Sequence, residues 1–211
     1  MLPVSPAAAD PLPWGPYTCA QGRVWRLANA GDLVCTWPER RTDVAAENSS
    51  SPSHKLLNTM YCMPGYEWRL ANPSDRACVT SVQRRMARME NESAAYSLAD
   101  PAAVPLGGVS VMTRRGAGGV NYLYAKGTGL TLKWSAEFYA VGVKGPDWPT
   151  GRPRIGEAWP DAPGTFTDWT YIGQVTCVPS ETKPVPVVVV DLGTGMVTRA
   201  GTTDAFMCWS P

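Results

Sequence analysis

Two segments of this chain are copies of each other: CAQGRVWRLANAGDLVC at 19–35 and CMPGYEWRLANPSDRAC at 62–78. They align without a gap at an offset of 43. Cys19, Gly22, Trp25, Arg26, Leu27, Ala28, Asn29, Asp32 and Cys35 match Cys62, Gly65, Trp68, Arg69, Leu70, Ala71, Asn72, Asp75 and Cys78. The register continues through Arg41 and Arg84 to Glu47-Asn48 and Glu90-Asn91. An ungapped match of this length is a duplication, so the N-terminal half is two tandem units. Within each unit the cysteine-bounded part, with its glycine and polar turn residues, reads as a loop or short hairpin. The second part reads as a helix. Pro38-Glu39-Arg40 starts one, and Thr80 with Gln83 forms a capping box for the other. Val82, Met86, Met89 and Ala94 lie at helical spacing and are expected to form its apolar stripe.

The six cysteines repeat the same arithmetic. Cys19 to Cys35 and Cys62 to Cys78 are both 16 positions apart. The simplest pairing is Cys19–Cys35, Cys62–Cys78 and Cys177–Cys208; Cys19–Cys62 with Cys35–Cys78 is the alternative. Each short loop would contribute about 3 kcal/mol through the entropy of the unfolded chain. No C-x-x-C occurs and there is one histidine, His54, so a zinc site is disfavoured and neither metal nor cofactor is expected. Disulfides imply an oxidising compartment. Ala7-Ala8-Ala9 before Asp10 resembles the end of a secretory signal, so residues 1–16 read as a signal remnant or tail.

The pattern C-x-x-G-x-V-W-R-x-A-x-x-x-D-x-V-C, followed by a basic helix ending near Asn, resembles a short module of secreted actinobacterial proteins, often found in tandem. The resemblance covers 19–91 and departs at Glu67, where Val is usual, and at Leu27 and Leu70, where an acidic residue is common. It implies secretion and disulfides inside each unit, and no catalytic residue.

The repeated Trp25/Trp68 and Arg26/Arg69 have two readings. Tryptophan covers the disulfide while arginine pairs with Asp32 or Asp75, or the four side chains form a surface that grips a partner. The small size of the unit favours the first. Asn48-Ser49-Ser50 and Asn91-Glu92-Ser93 match glycosylation sequons, but at helix ends the asparagines read as C-caps.

Composition shifts near residue 100, and sixteen of the 20 glycines follow it. Strand-like runs occupy 109–114, 120–125, 130–143, 165–178, 186–192, 196–199 and 204–209, separated by glycine turns such as Gly193-Thr194-Gly195. Arg114-Arg115-Gly116 leads into another such hairpin turn rather than an anion cradle. The fold class is therefore α+β: two small disulfide-bonded repeats, 17–55 and 60–99, followed by an antiparallel β-sandwich or barrel over 105–211. Alternation places Leu130, Leu132, Trp134, Ala136, Phe138 and Ala140 on one face, with Trp134 in the core. It also places Trp169, Tyr171, Val175 and Cys177 together on a buried face.

The stretch 145–164, GPDWPTGRPRIGEAWPDAPG, reads as a long loop without regular structure. It gathers Trp148 and Trp159 with Asp147, Arg152, Arg154, Glu157 and Asp161. Indoles beside carboxylates and guanidinium groups suit a sugar or a protein partner, whereas proline and tryptophan packing together would make the loop a rigid cap. Nineteen basic against 18 acidic residues leave a net charge of +1, which argues against a nucleic-acid binder. No apolar run is long enough for a transmembrane helix. Glu137, Glu157 and Asp168 are the carboxylates available to a hydrolase, but nothing in their spacing selects a pair. The sequence reads as a secreted, non-enzymatic protein that binds an extracellular carbohydrate or protein through its tryptophan-bearing loop. A structural or adaptor subunit of an extracellular assembly or toxin complex, associating through the apolar β run PVPVVVV at 184–190, is the alternative. A hydrolase comes third.

Overall fold

The computed structural model describes residues 12–57, 59–117, 120–142, 154–161, 164–176 and 185–202. Each repeat begins with a two-stranded antiparallel ribbon, β1 (Val24–Trp25) with β2 (Cys35–Thr36) and β3 (Glu67–Trp68) with β4 (Cys78–Val79). Each ribbon is closed by its own disulfide, Cys19–Cys35 and Cys62–Cys78, as the spacing predicts. Cys177 and Cys208 lie outside the described residues. The helices follow: α1 (Pro38–Ser50), with proline at its start, and α2 (Ser81–Glu92), with the Thr80–Gln83 capping box formed. A short α3 (Ala94–Ser97) completes the repeat region.

The two units are completed by each other. Arg26 is fully buried and bonds its own Asp32 through Nε at 2.8 Å and Nη2 at 3.0 Å. Its other donors reach unit two: Glu90 at 3.2 Å, Asn91 Oδ1 at 2.9 Å and the Ala87 carbonyl at 2.9 Å. Arg69 does the converse, bonding Asp75 at 2.8 and 3.1 Å and reaching back to Glu47 at 2.9 Å and Asn48 Oδ1 at 2.8 Å. Asn48 and Asn91 are therefore acceptors for the opposite unit's arginine, not C-caps. On the dividing line, Asn29 Nδ2 donates to its own counterpart Asn72 at 3.1 Å, and Ala28, Ala71, Val44 and Ala87 form a small apolar cluster. Residue i meeting j while the copy of j meets the copy of i is the signature of a twofold interface, here inside one chain.

The backbone follows the same rule. Met63 N–H donates to the His54 carbonyl and Leu56 N–H to Tyr61, in a local turn between the units. Replacing each partner by its counterpart, 43 positions later for one and 43 earlier for the other, gives the bonds that close the whole region: Ala20 N–H donates to Ser97 and Ala99 N–H to Thr18. Leu27 and Leu70 share a left-handed backbone, φ 55° and 54°. That conformation costs a non-glycine residue roughly 1–2 kcal/mol. It lets the arginine before it and the amide after it bind the same aspartate, as Ala28 N–H to Asp32 at 2.8 Å and Ala71 N–H to Asp75 at 3.0 Å.

The rest of the chain is one seven-stranded sheet curled into a near-barrel. Its strands are β5 (Leu106–Arg115), β6 (Val120–Gly127), β7 (Ala136–Ala140), β8 (Arg154–Ala158), β9 (Phe166–Thr176), β10 (Val187–Asp191) and β11 (Met196–Thr202). The order is β8-β7-β10-β11-β5-β6-β9, antiparallel except for β11 with β5. The two end strands meet where Gly156 and Gly173 lie against the carbonyls of Ile172 and Ile155, an approach that leaves no room for a Cβ. Phe138, Phe166, Leu123, Ile155 and Val189 fill the interior.

Several sequence expectations change here. Strand β8 falls inside the stretch read as an irregular loop, because Ile155 and Ala158 point into the barrel. Trp134 is only half-buried: Lys133 adopts φ 66°, a turn interrupts the alternating run, and β7 starts at Ala136. Tyr171 is 51% exposed, because a register shift near Gly173 moves Ile172 and then Val175 inward. Within the PVPVVVV run, residues 187–190 are not an edge. β10 pairs with β7 on one side and β11 on the other, with Val187 and Val189 in the barrel and Val188 and Val190 under the repeats. Val82, Met86 and Met89 face outward, and α2 buries Ala87 and Asn91 instead.

Replacing Arg26 or Arg69 by Met should cost about 3–5 kcal/mol each, since either change strands buried carboxylates. Urea denaturation would show it as a lowered midpoint, and the two variants should behave alike despite lying in different units.

Candidate binding site

The outer face of β7 and β8 looks toward the end of α2. Glu137 and Glu157 stand directly opposite each other in the strand register. Arg154 bridges them, with Nε donating to Glu137 at 2.8 Å and Nη2 to Glu157 at 3.0 Å. Ser135 Oγ donates to Glu157 and Tyr139 Oη donates to Glu137, both at 2.5 Å, and Tyr139 also reaches the Glu92 carbonyl at 3.1 Å. Burial lowers the affinity of Arg154 for its proton, but the charge of Glu137 more than restores it, so its pKa lies above the ordinary guanidinium value. Desolvation, followed by the hydrogen bond to Glu137, holds the Tyr139 hydroxyl far above the usual tyrosine range.

Trp159 follows directly beyond this ionic row and is 62% exposed. Asp161 is occupied in holding the turn, accepting from Thr167 N–H at 3.3 Å and Thr167 Oγ1 at 3.1 Å. Asp147, Trp148 and Arg152 lie outside the described residues. The structure thus brings Arg154 and Glu157 onto one strand, sets Trp159 just past its end, and gives Asp161 a local structural bond. Asp168 lies apart, its side chain 95% exposed, with Lys126 at 3.9 Å.

Beside this row a cleft of about 620 Å³ opens between α2 and the barrel. Arg84, Arg85, Arg88 and Met89 form the helix wall, Glu67 and Leu70 the ribbon wall, and Trp134 the opposite side. Sequence reasoning missed this cleft. Its signal was the divergence between the repeats, for Glu67, Arg85, Arg88 and Met89 stand where unit one has Val24, Thr42, Ala45 and Ala46. A second, apolar cleft of about 330 Å³ lies between the repeats and the β10–β11 hairpin. Tyr17, Leu33, Ala94, Leu98 and Met196 line it, and its rim Asn29 and Asn72 are bonded to each other.

Trp25 and Trp68 are equivalent and half-buried. Their Nε1 atoms donate to Tyr17 O at 2.9 Å and Met60 O at 3.0 Å, so the repeated tryptophans secure the chain entering each unit. His54 stacks on Tyr66 at 3.9 Å. Among the described residues no cluster of histidine, cysteine, aspartate and glutamate is grouped as a metal site, and no helix is long and apolar enough to cross a membrane.

No protein-family model, curated protein or solved structure matches this chain.

The Tyr139 environment has a pH consequence. In the unfolded chain this hydroxyl ionises near pH 10, whereas the fold holds it protonated. Its stabilising contribution should be complete below about pH 10 and decline as pH rises further. Denaturation midpoints measured between pH 8 and 11 should show that decline, and Tyr139→Phe should flatten it.

Proposed function

We propose that this is a secreted, non-enzymatic binding protein that recognises an extracellular carbohydrate or protein on the face formed by β7, β8 and the end of α2. The observation that carries the reading is Trp159: a large indole left in solvent at the end of a strand whose neighbouring charges are fixed by one another. A rigid support lowers the entropy lost on binding, and exposed tryptophan beside arginine is the composition of interface anchors. Two disulfides support an oxidising, extracellular setting.

Two features weigh against the rival readings. Glu137 and Glu157 already spend their oxygens on Arg154, Tyr139 and Ser135, which makes an ionic clamp rather than a facing acid and base. The valine run that motivated a structural or adaptor subunit is interior, with both backbone edges paired.

Affinity capture from culture medium, followed by a glycan array, would supply the ligand. Trp159→Ala should then weaken binding by about 2 kcal/mol, roughly thirtyfold in Kd, with an unchanged denaturation midpoint. Equal binding by the variant would place the site elsewhere.

A further inference from the structure

We infer that the cleft between α2 and Trp134 binds an acidic saccharide, its carboxylate or sulfate held by Arg85 and Arg88 and its ring against Trp134 and Met89. This rests on the binding-protein reading above and specifies the ligand class.

The duplication supplies an internal control. α1 and α2 are copies in the same fold, and both must present a solvated outer face. α1 does so with Thr42, Ala45, Ala46 and Ser49; at the same four positions α2 carries Arg85, Arg88, Met89 and Glu92. Solvation therefore does not require the arginines. The copy that carries them is the one whose helix faces Trp134 across a cleft of about 620 Å³.

The charges in that cleft do not cancel. Arg69 is taken by Asp75 and Glu47, Arg84 is paired with Glu67, and Arg88 bonds Glu92 at 2.9 Å. Arg85 is exposed and makes no ion pair among the described residues. One uncompensated guanidinium thus remains, beside a second that is itself exposed and pairs only with the partly exposed Glu92. A guanidinium fork matches the two oxygens of a carboxylate or sulfate. Met89 and the half-buried Trp134 offer apolar surface of the kind that packs on a sugar ring. The concave shape favours a saccharide over a flat membrane, and the short arginine row is far from the broad basic surface of a nucleic-acid binder.

The test is titration calorimetry on the full chain with three hexasaccharides: oligogalacturonate for the carboxylate, a heparin fragment for the sulfate and maltohexaose as the neutral control. Either acidic probe should bind, at least tenfold more tightly than maltohexaose, and weaken as salt rises from 50 to about 300 mM through screening. Arg85→Glu and Arg88→Gln, both at exposed positions, should each reduce that affinity at least tenfold with an unchanged circular dichroism spectrum. Binding of a neutral sugar or captured protein that depends on Trp159 and ignores Arg85 would overturn this inference and leave the binding reading intact. Arginine-dependent binding to phosphatidylserine vesicles without saccharide binding would also overturn it. If no saccharide binds and no captured partner responds to Trp159 or Arg85, both fail.

Discussion

Everything in the N-terminal half depends on a pair of buried arginines whose partners are divided between two copies of one motif. Asp32 alone would leave Arg26 with unsatisfied donors in a site closed to water. Glu90, Asn91 and two backbone carbonyls of unit two complete it. Arg69 imposes the same requirement in reverse. A buried guanidinium left without its partners carries a heavy desolvation cost, so neither motif is a satisfied structure by itself. Arg40 adds a third guanidinium, bonding Glu47 and lying 3.2 Å from Glu90, and so ties the two acceptors together. The strained Leu27 and Leu70 belong to this arrangement, since their turn aims the guanidinium and the following amide at one carboxylate.

That interlocked pair then becomes the outer layer of the barrel. Val34, Ala94, Ala95 and Leu98 cover Val188, Val190 and Val197, so β10 is buried on both faces. This is why its sequence is continuous valine instead of alternating. Gly195 lies against Val34 and Asn91, which leaves no space for a side chain in the hairpin. Asn91 also donates to the Leu192 carbonyl at 3.0 Å. With a further bond from its Nδ2 to the Ala71 carbonyl, this one asparagine joins the arginine of unit one, the loop of unit two and the barrel.

The duplication was legible as a repeat of identities at one offset, and the disulfides of the repeats, the helix starts and the Arg–Asp pairs because each closes within one short unit. The exchange of Glu and Asn between units was visible only as matching residues at 47–48 and 90–91, with nothing in one sequence to say that they serve the opposite copy. The face of α2 was misread because charge pairing, not apolar burial, fixes it. Met86 and Met89 stay outside while Ala87 and Asn91 turn inward to the arginine network. Strand β8 was hidden by the prolines and glycines around it in the sequence, although its own Gly156 is the residue that lets the barrel ends meet. Of the residues on the proposed binding face, Arg154, Glu157 and Trp159 could be named from the sequence. The ionic row could not, because Glu137 and Tyr139 come from β7 and Ser135 from the residue just before it.

Native-state hydrogen exchange measures the central claim most directly. The amides of Ala28 and Ala71, which donate to Asp32 and Asp75, and those of Ala20 and Met63 report on both units. If the reciprocal arginines make the repeats one cooperative structure, all four should exchange with the same free energy of opening and the same dependence on denaturant. Protection of one unit surviving after the other has opened would contradict the account.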